Sequence, residues 1–403
     1  MRPFEGVKIL DFTWLGVGPL AVNYLSYYGA TAIKVESAKR PDPLRHLTPY
    51  VKGISGLERS YYWAHAHPAK RLDITLNLNN PKAIEIAKRL VAWADVVAES
   101  FIPGTMEKWG LGYEDLKKIK PDIIMLRTCM HGQTGPSAKH PGLGLVLTAL
   151  SGFVAITGWP DRPPSGLYGA FTDFMAPLFN AICLIAAIDY RRRTGKGQCL
   201  DVSQHEAVMH CIEPLLLDSV VNRREPTRNG NRIEYAAPHG IYRCQGDDRW
   251  CAIAVFTDGE WKSFCRVIGN PSWTDDPKFN TLLGRKQNED ELDKLVEEWT
   301  SQHTPEEVMD LMQAAGVGAG LTANAKDISE DPQLKHYQCY QELDHPEMGK
   351  MSFYLPPGFT LSKASYERVR PPILGEYNEY VYTKLLGIPD EEFVQLMQEG
   401  VFD

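Results

Sequence analysis

The stretch Gly166–Gly197 reads GLYGAFTDFMAPLFNAICLIAAIDYRRRTGKG. Small and turn-forming residues come first, then a single acid, Asp173, then an apolar run from Phe174 to Ile188. The run closes on Arg191, Arg192 and Arg193 and the glycines Gly195 and Gly197. This is the order of one helix with both ends marked: an acid where the amides point, cations where the carbonyls end, glycine past the stop. Pro177 is expected within the first turn or so, where a missing amide hydrogen costs least. The apolar run, about 15 residues between charged flanks, is short for a bilayer and predicts a core helix.

Two roles for Asp173 follow from these residues. It is a helix N-cap, worth on the order of 1 kcal/mol, or it is a carboxylate held at the mouth of a buried helix, where it can attack an activated carbonyl. The local sequence does not choose between them.

The chain of 403 residues is long for one core, which predicts two domains. Hydrophobic residues make up 43% and charged residues 23%, the balance of a globular enzyme. A net charge of −8 speaks against a general nucleic-acid binder, which needs a basic face. The 8 cysteines are scattered without a C-x-x-C pair, so reduced thiols of a cytoplasmic protein are expected, not a disulfide frame or a metal site. The N-terminal MRPFEGVKILDF has no signal-peptide apolar core, and no membrane association is expected.

Outward from the Asp173 stretch, strands and helices alternate through the first half. Strands are expected at 7–12, 30–35, 74–78, 95–99, 123–127 and 199–202, with helices after TWLGVGPL, from Pro81 to Trp93 behind an Asn80 cap, and from Gln204 to Val221. The fold class is therefore α/β, with a mostly parallel sheet carrying its ligand loops at the carboxyl edge. The first loop has Gly16 and Gly18 but no G-x-G-x-x-G, so the dinucleotide fingerprint fails. The polar stretch Asn222–Asn231 marks a boundary. The expected organisation is a large domain over 1–224, a smaller α+β domain over 225–330 and a return segment over 331–403, ending in a helix near Pro389–Gln398.

Ordered blocks of the sequence resemble the class III CoA-transferases, the CaiB/BaiF group that includes formyl-CoA, carnitine and benzylsuccinate CoA-transferases. They are GVKILDFTWLGVGPLAVNYLSYYGATAIKVE, LNLNNPKAIEIAKRLVAWADVVAESFIPGTMEKWGLGYEDL, GQTGP, LSGFVAITG, the Asp173 stretch ending RRRTGKGQCLDVS, and later RNGN, DPQLKHYQCYQEL and PPILGEYNEYVYTKLLGI. The resemblance covers nearly the whole chain. It implies an interlocked dimer of ring-like chains, each with a Rossmann-like large domain.

The resemblance places Asp173 on the family's catalytic aspartate. It implies attack on an acyl-CoA thioester, a mixed anhydride on Asp173, then an aspartyl-CoA thioester from which CoA passes to an acceptor acid. No permanently bound cofactor is implied; coenzyme A enters as acyl-CoA substrate. The CoA contacts it implies are Trp14, Leu15, Gly16 and Val17 in the first loop, Leu76 and Asn79, Ser100 and Phe101, Lys108, and Gln204. Several positions depart from the family: Trp14-Leu15-Gly16 stands where the formyl-CoA enzymes have His-Val-Gln, Ser37 where a basic residue is usual, Ser100 for Asn and Asn79 for Lys.

The same fold hosts acyl-CoA racemases, whose His-Asp pair lies about 30 residues before the aspartate. Leu143 and Gly144 occupy that place here, and His140 is out of register, which disfavours racemisation. The nearest branch is the benzylsuccinate type, built from two different subunits, and Tyr61, Tyr62, Trp63, Trp159 and Tyr168 flank the matched blocks as candidates for an aromatic acid. The expectation is transfer from an acyl-CoA such as succinyl-CoA to a carboxylic acid, benzylsuccinate among the candidates, by a homodimer or by a heterodimer with a related subunit. The alternatives are a racemase or epimerase and a non-catalytic partner subunit.

Overall fold

A computed structural model describes residues 2–354 and 358–403. The chain divides into two compact units: residues 1–154, 166–225 and 335–403 form the first, and residues 155–165 and 226–334 the second.

The first unit is built on a sheet of strands β1 (Lys8–Asp11), β2 (Thr31–Glu36), β3 (Arg71–Thr75), β4 (Val96–Glu99), β5 (Ile124–Cys129) and β6 (Cys199–Ser203). All neighbours pair in parallel, in the order 3-2-1-4-5-6. Parallel strands buried on both faces are written as short apolar runs, and KILD, VVAE and IMLR fit that rule. This strand order reverses direction between β1 and β4, and open α/β sheets bind ligands in the crevice beyond the carboxyl ends at such a point.

The helix read around Asp173 runs over Phe171–Thr194, 24 residues, longer than its apolar run. Its length, and an 18-residue stretch within it of mean hydropathy 1.8, would suit a bilayer. One face, Ala181, Leu184, Ala187 and Ile188, is nevertheless buried against Ile9, Val22, Leu25, Ile124 and Leu126 under the sheet. Gly195 ends it in the left-handed conformation at φ 70°, as a C-terminal glycine should. Two local expectations are corrected. Pro177 lies inside the helix, not in its first turn, because the helix begins at Phe171. Ala170 is the N-cap residue and Asp173 caps nothing with its side chain.

β3 begins three residues before the expected start, at Arg71 rather than Ile74. The expected helix over 204–221 is broken into Gln204–Met209, a tight turn at His210–Ile212, and Glu213–Asn222, where Pro214 opens a new helix. The last segment closes the first unit. Val381, Tyr382, Ile388, Val401 and Phe402 join the core between the sheet and the helix Pro81–Trp93, and Tyr382 Oη donates to the Thr75 carbonyl at 2.7 Å. The hairpin β10 (Tyr340–His345) and β11 (Gly349–Tyr354) belongs to the same unit.

The second unit is an antiparallel sheet of β7 (His239–Arg243), β8 (Trp250–Ala254) and β9 (Gly318–Leu321). Its core packs Tyr242, Phe264, Phe279, Leu292, Val296, Val308 and Met312. Three of its helices start with reciprocal caps, Thr257 with Glu260, Thr304 with Glu307 and Asn324 with Asp327.

Candidate active site

The loops leaving β1, β4 and β5 and the start of the helix after β6 enclose a cleft of about 290 Å³, placed where the strand order reverses. Trp14, Leu15, Gly16 and Val17 from the first loop, Ser100 and Phe101 from the second, Gln204 and Asp173 all line it. The sequence-predicted site residues thus converge in large part on one crevice. Leu76, Asn79 and Lys108 lie outside it. Leu76 is packed into the core, while Asn79 and Lys108 are on the surface. None of the aromatic residues Tyr61, Tyr62, Trp63, Trp159 and Tyr168 lines it, and Trp63 is wholly buried between the Arg45 guanidinium and the His67 ring.

The first loop is held from behind by buried charge. Leu15 sits at φ 62°, a left-handed conformation that costs a leucine about 1–2 kcal/mol. Its N–H donates to both carboxylate oxygens of Asp42, at 3.1 and 3.2 Å. Asp42 in turn pairs with Lys34 at 3.3 Å, and the Lys34 ammonium also donates to the Thr13 carbonyl. Both side chains are fully buried. Trp14 N–H donates to Ser100 Oγ at 3.0 Å, tying this loop to the one after β4. The Trp14 and Phe101 rings meet edge to face with centroids 5.8 Å apart.

Asp173 stands on the first turn of its helix, half-buried, between two glycines. An added Cβ at Gly16 would lie 3.4 Å from Asp173 Cβ, and one at Gly144 would lie 2.4 Å from Asp173 Oδ1. Thr172 Oγ1 makes the one side-chain hydrogen bond given to the carboxylate among the described residues, a long one of 3.4 Å, and its single proton is shared with the Gly144 carbonyl at 3.2 Å. Pro177, four residues on, has no N–H to give the Asp173 carbonyl, so the helix ladder is open at this residue. Burial, set against the weak Thr172 contact, pushes the Asp173 carboxyl up to about 6. It is ionised at neutral pH and more basic than an ordinary carboxylate, hence a better nucleophile. Cys129 also lines the cleft, but burial and the nearby Glu99 and Asp201 carboxylates push its thiol up to about 11, so it stays protonated and unreactive.

Sequence reasoning missed the support for this site: Lys34 and Asp42 behind Leu15, and the contact of Gly144 with Asp173. The left-handed Leu15 leaves no mark in the residue type. His140, out of register for the racemase pair, lines the cleft.

A half-buried, basic carboxylate in a crevice at the switch point of a parallel sheet defines an α/β enzyme acting on a small molecule. The sequence matches CoA-transferase family III over residues 4–378, and the chain belongs to that family. It is 32% identical, over 99% of its length and 98% of the relative's, to a succinyl-CoA–D-citramalate CoA-transferase of Chloroflexus aurantiacus. It is 30% identical, over 99% and 98%, to the beta subunit of a succinyl-CoA–L-malate CoA-transferase from the same organism. Its fold superposes on a CaiB/BaiF family protein from Brucella suis with a TM-score of 0.85 at 29% identity, covering 95% of this chain and 99% of that one.

Proposed function

We propose that this protein, a class III CoA-transferase, moves CoA from succinyl-CoA or a similar acyl-CoA to a dicarboxylic acid, with Asp173 as the nucleophile. The observation that carries the reading is the position of the Asp173 carboxylate, basic and lightly hydrogen-bonded, in the cleft that the CoA-contact loop 14–17 also lines. The carboxylate attacks the thioester carbonyl, the C–S bond breaks, and CoA leaves as thiolate from a mixed anhydride. The thiolate then attacks the Asp173 carbonyl carbon, giving an aspartyl-CoA thioester and releasing the donor acid. The acceptor carboxylate displaces CoA to form a second anhydride, and the thiolate takes up the acceptor acyl group, freeing Asp173. The start of the Asp173 helix is the positive end of its dipole, which would stabilise the oxyanions. Water has to be kept from the anhydride, and the tight packing of Gly16 and Gly144 on the carboxylate suits that need.

Both similar transferases named above pair succinyl-CoA with a dicarboxylic acid, which supports that acceptor class. Benzylsuccinate is one member of it, but the aromatic residues put forward for its ring do not line the cleft. Racemisation is disfavoured because Leu143 and Gly144 move no proton. We assign CoA binding and catalysis to the first unit. The helix Phe171–Thr194 leaves Phe174, Leu178, Ile182 and Ile185 exposed along one face, and the helix Glu213–Asn222 buries no residue at all. Surfaces of this kind fit burial against a second chain, as in the interlocked dimer of a cytoplasmic homo- or heterodimeric enzyme. The test is chromatographic assay of CoA transfer from succinyl-CoA across a panel of acids, alongside α-proton exchange in deuterated water. New acyl-CoA without exchange supports the reading; exchange without any acceptor acid contradicts it.

A further inference from the structure

Among the residues lining the Asp173 cleft, His140 is the one basic side chain; the rest are apolar, neutral or, at Asp173, acidic. His140 is exposed at the cleft and its ring stacks nearly parallel on His131, 12° between planes and 5.8 Å between centroids. His131 is itself anchored, its Nδ1 3.3 Å from Nδ1 of His205, and His205 N–H donates to the Met130 carbonyl at 3.0 Å. A contact between two Nδ1 atoms needs one donor and one acceptor, so at least one of that pair is neutral. Burial, with His205 and His140 nearby, pushes His131 down as well. The stack therefore presents His140 to the cleft from a neutral, fixed support. The one histidine ion pair among the described residues is His210 with Glu213, so no protein carboxylate occupies His140.

A dicarboxylate that reacts through one end brings its other carboxylate into the same cleft. Left unpaired near Asp173, that second charge would be desolvated and repelled. We propose, resting on the CoA-transferase reading, that His140 binds the non-reacting carboxylate of the acceptor and so selects dicarboxylic over monocarboxylic acids. A ring N–H of His140 can meet that carboxylate, the charged ring more strongly than the neutral one. His140 is a specificity residue in this scheme. Asp173 does the chemistry at the other end.

The experiment measures kcat/KM of the full chain with succinyl-CoA as donor and length-matched acceptors, glutarate against valerate and adipate against hexanoate. The wild type is expected to prefer the dicarboxylates. His140→Leu is expected to lower the dicarboxylate-to-monocarboxylate ratio about tenfold or more, chiefly through KM for the dicarboxylate, the effect of losing one charge-assisted hydrogen bond. His140→Arg is expected to restore the ratio, because it returns a cation to the same place. An unmoved ratio in His140→Leu overturns the proposal, and so does a wild type that prefers monocarboxylates. A fall that His140→Arg does not recover shows that bulk and not charge was lost, and also overturns it. No transfer to any acid by the wild type overturns the CoA-transferase reading together with this one, which separates the two failures.

Discussion

Gly144 lies directly on the carboxylate of Asp173: a methyl group at that α-carbon would come 2.4 Å from Oδ1 and 2.6 Å from Cγ. It would also meet Ala170 Cβ at 2.4 Å. The helix holding Asp173 and the helix Gly144–Leu150 therefore meet where only hydrogen fits. Gly144→Ala is expected to turn the carboxylate off its line of attack and lower kcat by about a hundredfold, the scale of a 1 Å misplacement at a reacting group. KM for acyl-CoA should change far less. Steady-state kinetics check this, and a variant with wild-type kcat would show that the contact is slack.

The elevated Asp173 carboxyl sets two pH dependences of opposite sense. In the proposed mechanism its ionised form attacks the thioester, so transfer should rise with pH through about 6 as the proton leaves. Stability runs the other way. The folded chain keeps this proton up to about 6 while the unfolded chain releases it near 3.8, so stability falls as pH climbs between those values. Asp173→Asn removes the effect. It should be more stable than wild type at pH 7, by on the order of 2 kcal/mol, and no more stable near pH 3. Urea denaturation at both pH values measures it. An equal difference at both would mean that burial is not the cause of the shift.

Behind the first loop, Lys34 and Asp42 are paired at 3.3 Å with neither side chain exposed. Lys34→Met leaves the Asp42 charge buried alone and should cost roughly 3–5 kcal/mol of stability. Adding Asp42→Leu to Lys34→Met removes the orphaned charge and should recover part of that loss. In the double variant Leu15 has no acceptor for its N–H, so KM for acyl-CoA should rise there. Equilibrium unfolding and kinetics of the single and double variants separate the two effects.

The alternating order of the first unit was legible because its central strands are buried on both faces and are written as apolar runs. β3 starts ahead of its apolar pattern because Arg71 and Asp73 are buried within it, their charges met by Asp11 and Arg45 from other parts of the chain. A pattern that looks for apolar alternation misses a strand whose partners lie far off in sequence. That Asp173 and the first loop Trp14–Val17 line one cleft was legible from ordered motifs. What the motifs could not carry was geometry: the left-handed Leu15, the glycines pressed on the carboxylate, and the break in the ladder at Pro177 all arise from tertiary packing. The N-cap expectation failed for a related reason, since the helix starts earlier than its apolar run.

The exposed apolar stripe of the Asp173 helix makes a prediction about assembly. Ile182 is 63% exposed, and a single chain gains little from an isoleucine there. If a second chain covers the stripe, the wild type should be a dimer and Ile182→Glu a monomer, and light scattering after size-exclusion chromatography reads the mass. A wild type that is monomeric, or a variant that stays dimeric, would show that the stripe is not the interface.

The most direct measurement is intact-protein and peptide mass spectrometry after mixing the enzyme with succinyl-CoA and quenching within a turnover. The account predicts an adduct with the mass of CoA less one water, or its hydroxylamine-trapped derivative, on the peptide bearing Asp173, and none in Asp173→Ala, which should also lack all transfer activity. An active enzyme with an unmodified Asp173 peptide, or Asp173→Ala turning over at the wild-type rate, would contradict it.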